Sequence, residues 1–267
     1  MDKRADATAT IDVEKRTMKK KFVALAFSLA MSVYAQGALA EPVKNVVPVH
    51  GAFADGAGWE PVARILDKAG YQVSVVQEPQ TSLADDVAAT RRVLALQHGK
   101  TLLVGHSYGG MIISEAGDDP SVAGLVYVAA FQPEKGESLL SLASKYPSAG
   151  KSIVETPDHF LYLKPESFRA DFAADLPEKQ TDLMARAQVM PAVAAFNAPA
   201  GTPAWQTKPS WAIVATQDRS INPELERFMA KRAHSQVTEV KGSHAIYISQ
   251  PEQIATVIKN AAQQLSQ

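Results

Sequence analysis

One stretch limits the fold more than any other: TLLVGHSYGG, residues 101–110. Its first part is a continuous apolar run bounded by Gly99, the mark of a strand buried on both faces. The run ends in a serine with Gly105 and Gly109 two residues away on either side, and a helix is expected from there to about Ala116. Glycine fits best where strand and helix come too close together for side chains, and such a turn imposes unusual backbone angles on the residue at its apex. Ser107 is therefore expected on a sharp strand-to-helix corner, with its hydroxyl held up at the end of a sheet. The five-residue pattern alone is weak. Its position directly behind a buried strand and directly before a helix gives it weight.

The rest of the chain alternates in the same sense. Strands are expected at 45–50, 71–77, 121–131, 210–216 and 236–240, and helices at 58–70, 82–97 and 251–265. Ser82 supplies an N-cap followed by an acidic first turn, and Pro251 suits the first turn of the last helix. This order predicts an α/β fold with a doubly wound, mostly parallel sheet and helices on both faces. The alternation breaks once. Between Phe131 and Pro209 the amphipathic pieces ESLLSLASKY, PESFRADFAADL and EKQTDLMARAQVM replace strands. So long an insertion reads as a helical cap over about 132–208, and its apolar side chains should roof an apolar pocket.

Composition removes several function classes. The chain has no cysteine, so disulfides, thiolate metal sites and a cysteine nucleophile are excluded. A net charge of −1, without a block of like charge, gives no reason to expect nucleic acid or an anionic membrane surface as partner. Residues 18–40, MKKKFVALAFSLAMSVYAQGALA, combine a basic start, a short apolar core and an Ala-x-Ala end. They read as a signal peptide cleaved after Ala40, with 1–17 as a leader or with Met18 as the true start. The mature domain is then 41–267, secreted or periplasmic and without a membrane segment.

A serine hydroxyl is a weak nucleophile and needs a base, which in turn needs an orienting acid. His244 lies in VKGSHAIYISQPE, between the last strand and the final helix, at the same sheet end as Ser107. The turn directs His106 elsewhere. His98 and His234 sit at helix ends, His159 lies in the insertion, and His50 closes the first strand. Asp218, in AIVATQDRSINPE, directly follows a strand and is the candidate acid, with Glu134, just past 121–131, as second choice. An oxyanion hole needs two N–H groups. Tyr108 supplies one as the residue after the nucleophile, and the loop HGAFADGAGW supplies the other, from Ala52 first and Phe53 next. Phe53 is also placed against the substrate. Gly51, Gly56 and Gly58 lack dinucleotide-binding spacing, and neither a P-loop nor a metal-ligand cluster occurs, so no cofactor or metal is expected.

VHGAFADGAGW, LVGHSYGG, TQDRSI and GSHAIYISQPE together resemble the α/β-hydrolase superfamily, in the branch of plant methylesterases, hydroxynitrile lyases and bacterial pyrethroid-hydrolase-like esterases. The chain order Ser107, Asp218, His244 is the order of that superfamily. The resemblance implies a six-stranded sheet lacking the two antiparallel strands that begin larger members. Lyases of the branch carry a threonine and a lysine where this chain has Gly51 and Ala245, which points to hydrolysis. The expectation is a serine hydrolase cleaving carboxylic esters of small, uncharged, hydrophobic molecules through an acyl-enzyme. The same residues would serve lactone or C–C bond hydrolysis, or survive in a ligand-binding protein with vestigial turnover.

Overall fold

The computed structural model describes residues 42–266. The export segment read at 18–40 and its cleavage point lie outside the described residues. The chain runs through β1 (Asn45–Val49), α1 (Glu60–Lys68), β2 (Gln72–Val73), α2 (Leu83–Leu94), β3 (Thr101–Ser107), α3 (Gly109–Ala116) and β4 (Val122–Ala130). An insertion follows, holding α4 (Leu139–Lys145), β5 (Ile153–Glu155), β6 (Leu161–Leu163), α5 (Pro165–Phe172), α6 (Glu178–Ala187) and α7 (Val193–Asn197). The fold closes with β7 (Ser210–Ala215), α8 (Pro223–Arg232), β8 (Gln236–Val240), α9 (Ile246–Ser249) and α10 (Pro251–Gln264).

Six strands form one sheet in the order β2-β1-β3-β4-β7-β8, and each neighbouring pair is parallel. This is the doubly wound, parallel α/β fold that the alternation of strands and helices predicts. All seven residues of β3 are buried, and the apolar residues of α3, Met111, Ile112 and Ile113, press onto the sheet beside it. Each fully buried Val, Leu or Ile of this kind stabilises the fold by about 1.5–3 kcal/mol. At the other end of the strand order from β2, β8 leaves Gln236–Glu239 exposed.

Two departures from the expected elements have local causes. The strand read at 71–77 is a regular strand only at Gln72–Val73, with one further bridge between Val49 and Val76. The N–H groups of Gln72, Ser74 and Val76 do reach the carbonyls of Lys44, Val46 and Pro48. Pro48 has no N–H to return, so the ladder loses a rung on the side that faces β2. The insertion, read as helical pieces alone, also contains the antiparallel pair β5–β6, in register Ile153↔Leu163 and Glu155↔Leu161. Strands of three residues are too short to leave a two-residue period in the sequence.

Candidate active site

Ser107 ends β3 with φ of 53°, a left-handed conformation that costs a non-glycine residue energy and persists only where the surroundings impose it. The surroundings do so through close packing. A β-carbon at Gly105 would lie 2.6 Å from the Gly109 carbonyl oxygen, and one at Gly109 would lie 2.6 Å from the His50 carbonyl oxygen. Side chains at either position would separate β3, β1 and α3 and open the corner that lifts Ser107.

The loop after β8 brings His244 to the same end of the sheet, and the loop after β7 brings Asp218. His244 Nδ1 lies 2.6 Å from Asp218 Oδ2, with both side chains almost wholly buried. Asp218 Oδ1 accepts from the N–H groups of Ser220 at 2.7 Å and Ile221 at 2.9 Å, which fixes the carboxylate plane and leaves Oδ2 to the imidazole. With Nδ1 donating to Asp218, the lone pair of Nε2 is free to accept a proton. Glu134 is elsewhere: its carboxylate takes a hydrogen bond from Gln206 Nε2 at 3.3 Å.

His106 is turned away from the serine, as the corner requires, but it is not idle. Its ring is buried, 4.6 Å from the His244 ring, and its Nε2 donates to the His244 carbonyl at 3.0 Å. Burial holds the His106 pKa well below the usual imidazole range, so the ring is neutral and sets no fixed positive charge beside His244. Phe172, at the end of α5, meets the His244 ring edge-to-face at 5.0 Å.

Ala52, Phe53 and Tyr108 line one cavity of about 300 Å³ together with Ser107 and His244. Among the described residues, neither the Ala52 nor the Tyr108 N–H donates to another backbone carbonyl. Phe53 has φ of 63°, and its ring meets Phe196 of α7 edge-to-face at 6.1 Å. The insertion supplies the roof: Leu139 and Leu140 of α4, Leu161 and Leu163 of β6, Phe172 and Phe196. The piece EKQTDLMARAQVM turns away, for Leu183 and Met184 of α6 line a separate depression behind Phe53. The cavity wall is not wholly apolar. Asp171 and Arg219, paired at 3.1 Å, and Glu155 stand in it. Among the described residues, no group of three or more His, Asp or Glu side chains is arranged to hold a metal ion. Nor is any helix among them long and apolar enough to cross a membrane.

Several side chains around the site gave little sign in the sequence. Asp171 pairs with Arg219, the residue after Asp218, while Asp175 accepts from Ser243, the residue before His244. Two carboxylates four residues apart in the insertion thus hold the loops of both Asp218 and His244. Near Asp218, Glu226 of α8 is buried and accepts from the Ala215 N–H at 3.2 Å through Oε2, while its Oε1 has no hydrogen-bond partner among the described residues. Burial first, and the neighbouring Asp218 charge second, push its pKa well above the carboxylate range, so Glu226 is a neutral acid. One signal pointed to it: an acid in the apolar stripe of Leu225, Met229 and Ala230.

The model of the alpha/beta hydrolase family matches residues 46–257. A carbendazim-hydrolyzing esterase of Nocardioides sp. is 39% identical over 115 residues, which is 38% of this chain and 48% of that protein. The match thus spans just under half of that relative. A pyrethroid hydrolase of Sphingobium wenxiniae is 28% identical over 259 residues, 82% of this chain and 88% of that protein. Among solved structures, polyneuridine aldehyde esterase superposes with a TM-score of 0.71 at 18% identity, over 82% of this chain and 98% of that one, a likeness of fold.

Proposed function

The chain belongs to the alpha/beta hydrolase family, and on that premise we propose that it is a serine hydrolase of carboxylic esters bearing uncharged, hydrophobic groups. The observation that carries the proposal is the buried 2.6 Å contact between His244 and Asp218, with His244 lining the same cavity as a left-handed Ser107. Ser107 Oγ attacks the ester carbonyl carbon while its proton passes to His244 Nε2. The Ala52 and Tyr108 N–H groups hold the oxyanion, with the N-terminus of α3 behind them. The tetrahedral adduct expels the alcohol, which takes the proton from His244, and leaves an acyl group on Ser107. Water, deprotonated by His244, then releases the acid and restores the hydroxyl. Asp218 keeps the imidazole in the required tautomer throughout.

Two observations support hydrolysis over the lyase reaction of the same branch. A β-carbon at Gly51 would come within 2.7 Å of Ser107 Cβ, so a threonine there has no room. Position 245 carries no ammonium, being the buried Ala245. The relatives' names, a carbendazim-hydrolyzing esterase and a pyrethroid hydrolase, favour hydrolysis, the first of them of an ester. Each methylene buried under the roof should then add about 0.8 kcal/mol, or roughly fourfold in kcat/KM.

Ser107→Ala is the test, read as turnover of a chromogenic ester together with labelling by a fluorophosphonate. A fall in kcat of about 10³-fold or more, with labelling lost, is expected; near-normal turnover would remove the proposal. Export through the 18–40 segment belongs to the same proposal, and its test is whether the exported protein begins at Glu41.

A further inference from the structure

The peptide bond that joins Gly51 to Ala52 is trans, so its carbonyl and its N–H point in opposite directions. Whatever holds the Gly51 carbonyl therefore aims the Ala52 N–H. Two buried side chains hold it. His50 Nδ1 lies 2.9 Å from the Gly51 oxygen, and Gln80 Nε2 donates to the same oxygen at 3.0 Å. The Gln80 amide must present nitrogen on this side, because the Ala54 carbonyl, at 3.5 Å, is a further acceptor facing it. Gln80 is fully buried with φ of 58°, so its backbone is strained as well as enclosed. Its carbonyl accepts from the Ala192 N–H of the insertion at 2.8 Å.

The opposite side of the site is tied to the same residue. The Gln80 N–H donates to Asp86 Oδ1 at 2.7 Å, and Asp86 Oδ2 accepts from the Tyr108 hydroxyl at 2.7 Å. Asp86 is itself buried on the first turn of α2. One chain of buried contacts thus runs from the Gly51 carbonyl through Gln80 and Asp86 to the Tyr108 ring. Its two ends meet the Gly51–Ala52 peptide and the Tyr108 side chain, and Ala52 and Tyr108 both line the cavity with Ser107.

We propose that Gln80 and Asp86 are positioning residues that set the Ala52 and Tyr108 N–H groups as one rigid pair. The inference rests on the serine-hydrolase reading and deepens it. An N–H pair of this kind matters most when negative charge gathers on the carbonyl oxygen. Loosening it therefore lowers kcat and spares ground-state binding.

Gln80→Met keeps the length and burial of the side chain and removes the amide. In the folded variant, kcat on an apolar ester should fall about 10- to 100-fold with KM changed by less than about threefold. Affinity for a trifluoromethyl ketone, which adds to Ser107 and places an oxyanion, should fall by the same factor as kcat/KM. Affinity for an ether of the same shape, which has no carbonyl, should stay unchanged. If Gln80→Met does not fold, Tyr108→Phe, which cuts the tie to Asp86, is read by the same three measurements, with a kcat loss of roughly tenfold expected. Full kcat and full ketone affinity in the folded variant, or an equal loss of ketone and ether binding, would overturn the positioning role. Persistence of turnover in Ser107→Ala would instead overturn the serine-hydrolase reading beneath it.

Discussion

Asp175 Oδ1 lies 2.5 Å from the Ser243 hydroxyl and Oδ2 lies 2.9 Å from the Ser243 N–H, so a carboxylate of the insertion grips the residue before His244. Ser249 Oγ adds a third contact at 2.9 Å, and the Ala245 N–H reaches the Phe172 carbonyl at 3.0 Å. Asp175 is largely exposed, so its bonds compete with water and each is worth about 1 kcal/mol. Asp175→Ala should lower kcat/KM by roughly 3- to 10-fold through a less ordered His244 loop. Steady-state kinetics check this, and an unchanged kcat/KM would show that the loop stands without the insertion's help.

Glu226 should behave as a neutral acid near Asp218. Glu226→Gln keeps a neutral side chain and an acceptor for the Ala215 N–H, so activity should stay within about threefold and the acidic limb of the kcat/KM profile should superimpose on wild type. Were Glu226 ionised, removing its charge beside Asp218 would shift that limb. Glu226→Leu strands the Ala215 N–H and should cost about 1–3 kcal/mol, read from a urea midpoint.

The elbow is intolerant at Gly110 for a reason of space alone. A β-carbon there would lie 1.9 Å from the Phe131 carbonyl oxygen, a backbone atom that cannot yield. Gly110→Ala should destabilise the fold by at least about 3 kcal/mol or prevent it, which a urea midpoint or the yield of soluble protein reports. Gly136→Ala is the control. It has a positive φ of 84°, but a β-carbon there would meet nothing within 4 Å among the described residues, so only the smaller backbone cost of about 1–2 kcal/mol applies.

Burial pushes Glu78 up to about 7, against the pull of His50 Nε2 3.0 Å away. Burial lowers the His50 pKa, but the Glu78 contacts outweigh it and leave it raised. Both groups are raised, so the fold retains protons that the unfolded chain has released. The unfolded chain loses the Glu78 proton near 4.5 and the fold near 7, so stability falls as pH rises through that interval. Melting temperature should decline from pH 5 to 7.5 and decline less in Glu78→Gln, which is neutral throughout. Equal slopes in the two proteins would refute the assignment.

What was legible in the sequence is what single segments encode. The strands 101–106 and 121–131 announce themselves as uninterrupted apolar runs, and Ser107, Asp218 and His244 each follow a strand, which gathers them at one sheet end. The sheet and the convergence of those residues could be read for that reason. What could not be read depends on partners far apart in sequence. Nothing local to Asp171 or Asp175 reveals Arg219 or Ser243. Nothing local to Gln80 reveals the Gly51 carbonyl. Pro48 was visible, but its effect on β2 depends on which neighbour its missing N–H faces, and that is a matter of register.

Strand order has a consequence for how the chain reaches this state. The strands β2, β1, β3 and β4 are neighbours built from consecutive segments, whereas β4 must wait for β7 across the whole 131–209 insertion. A ribosome takes about 4–16 s to make a segment of roughly 80 residues. During refolding the same closure requires the largest loop in the sheet. In that interval VAGLVYVAA, apolar and rich in valine, presents an unsatisfied edge to any other chain in the same condition. Lesions in the insertion should therefore show themselves as inclusion bodies and a need for chaperones, well before they register as a lower melting point of the molecules that finish folding.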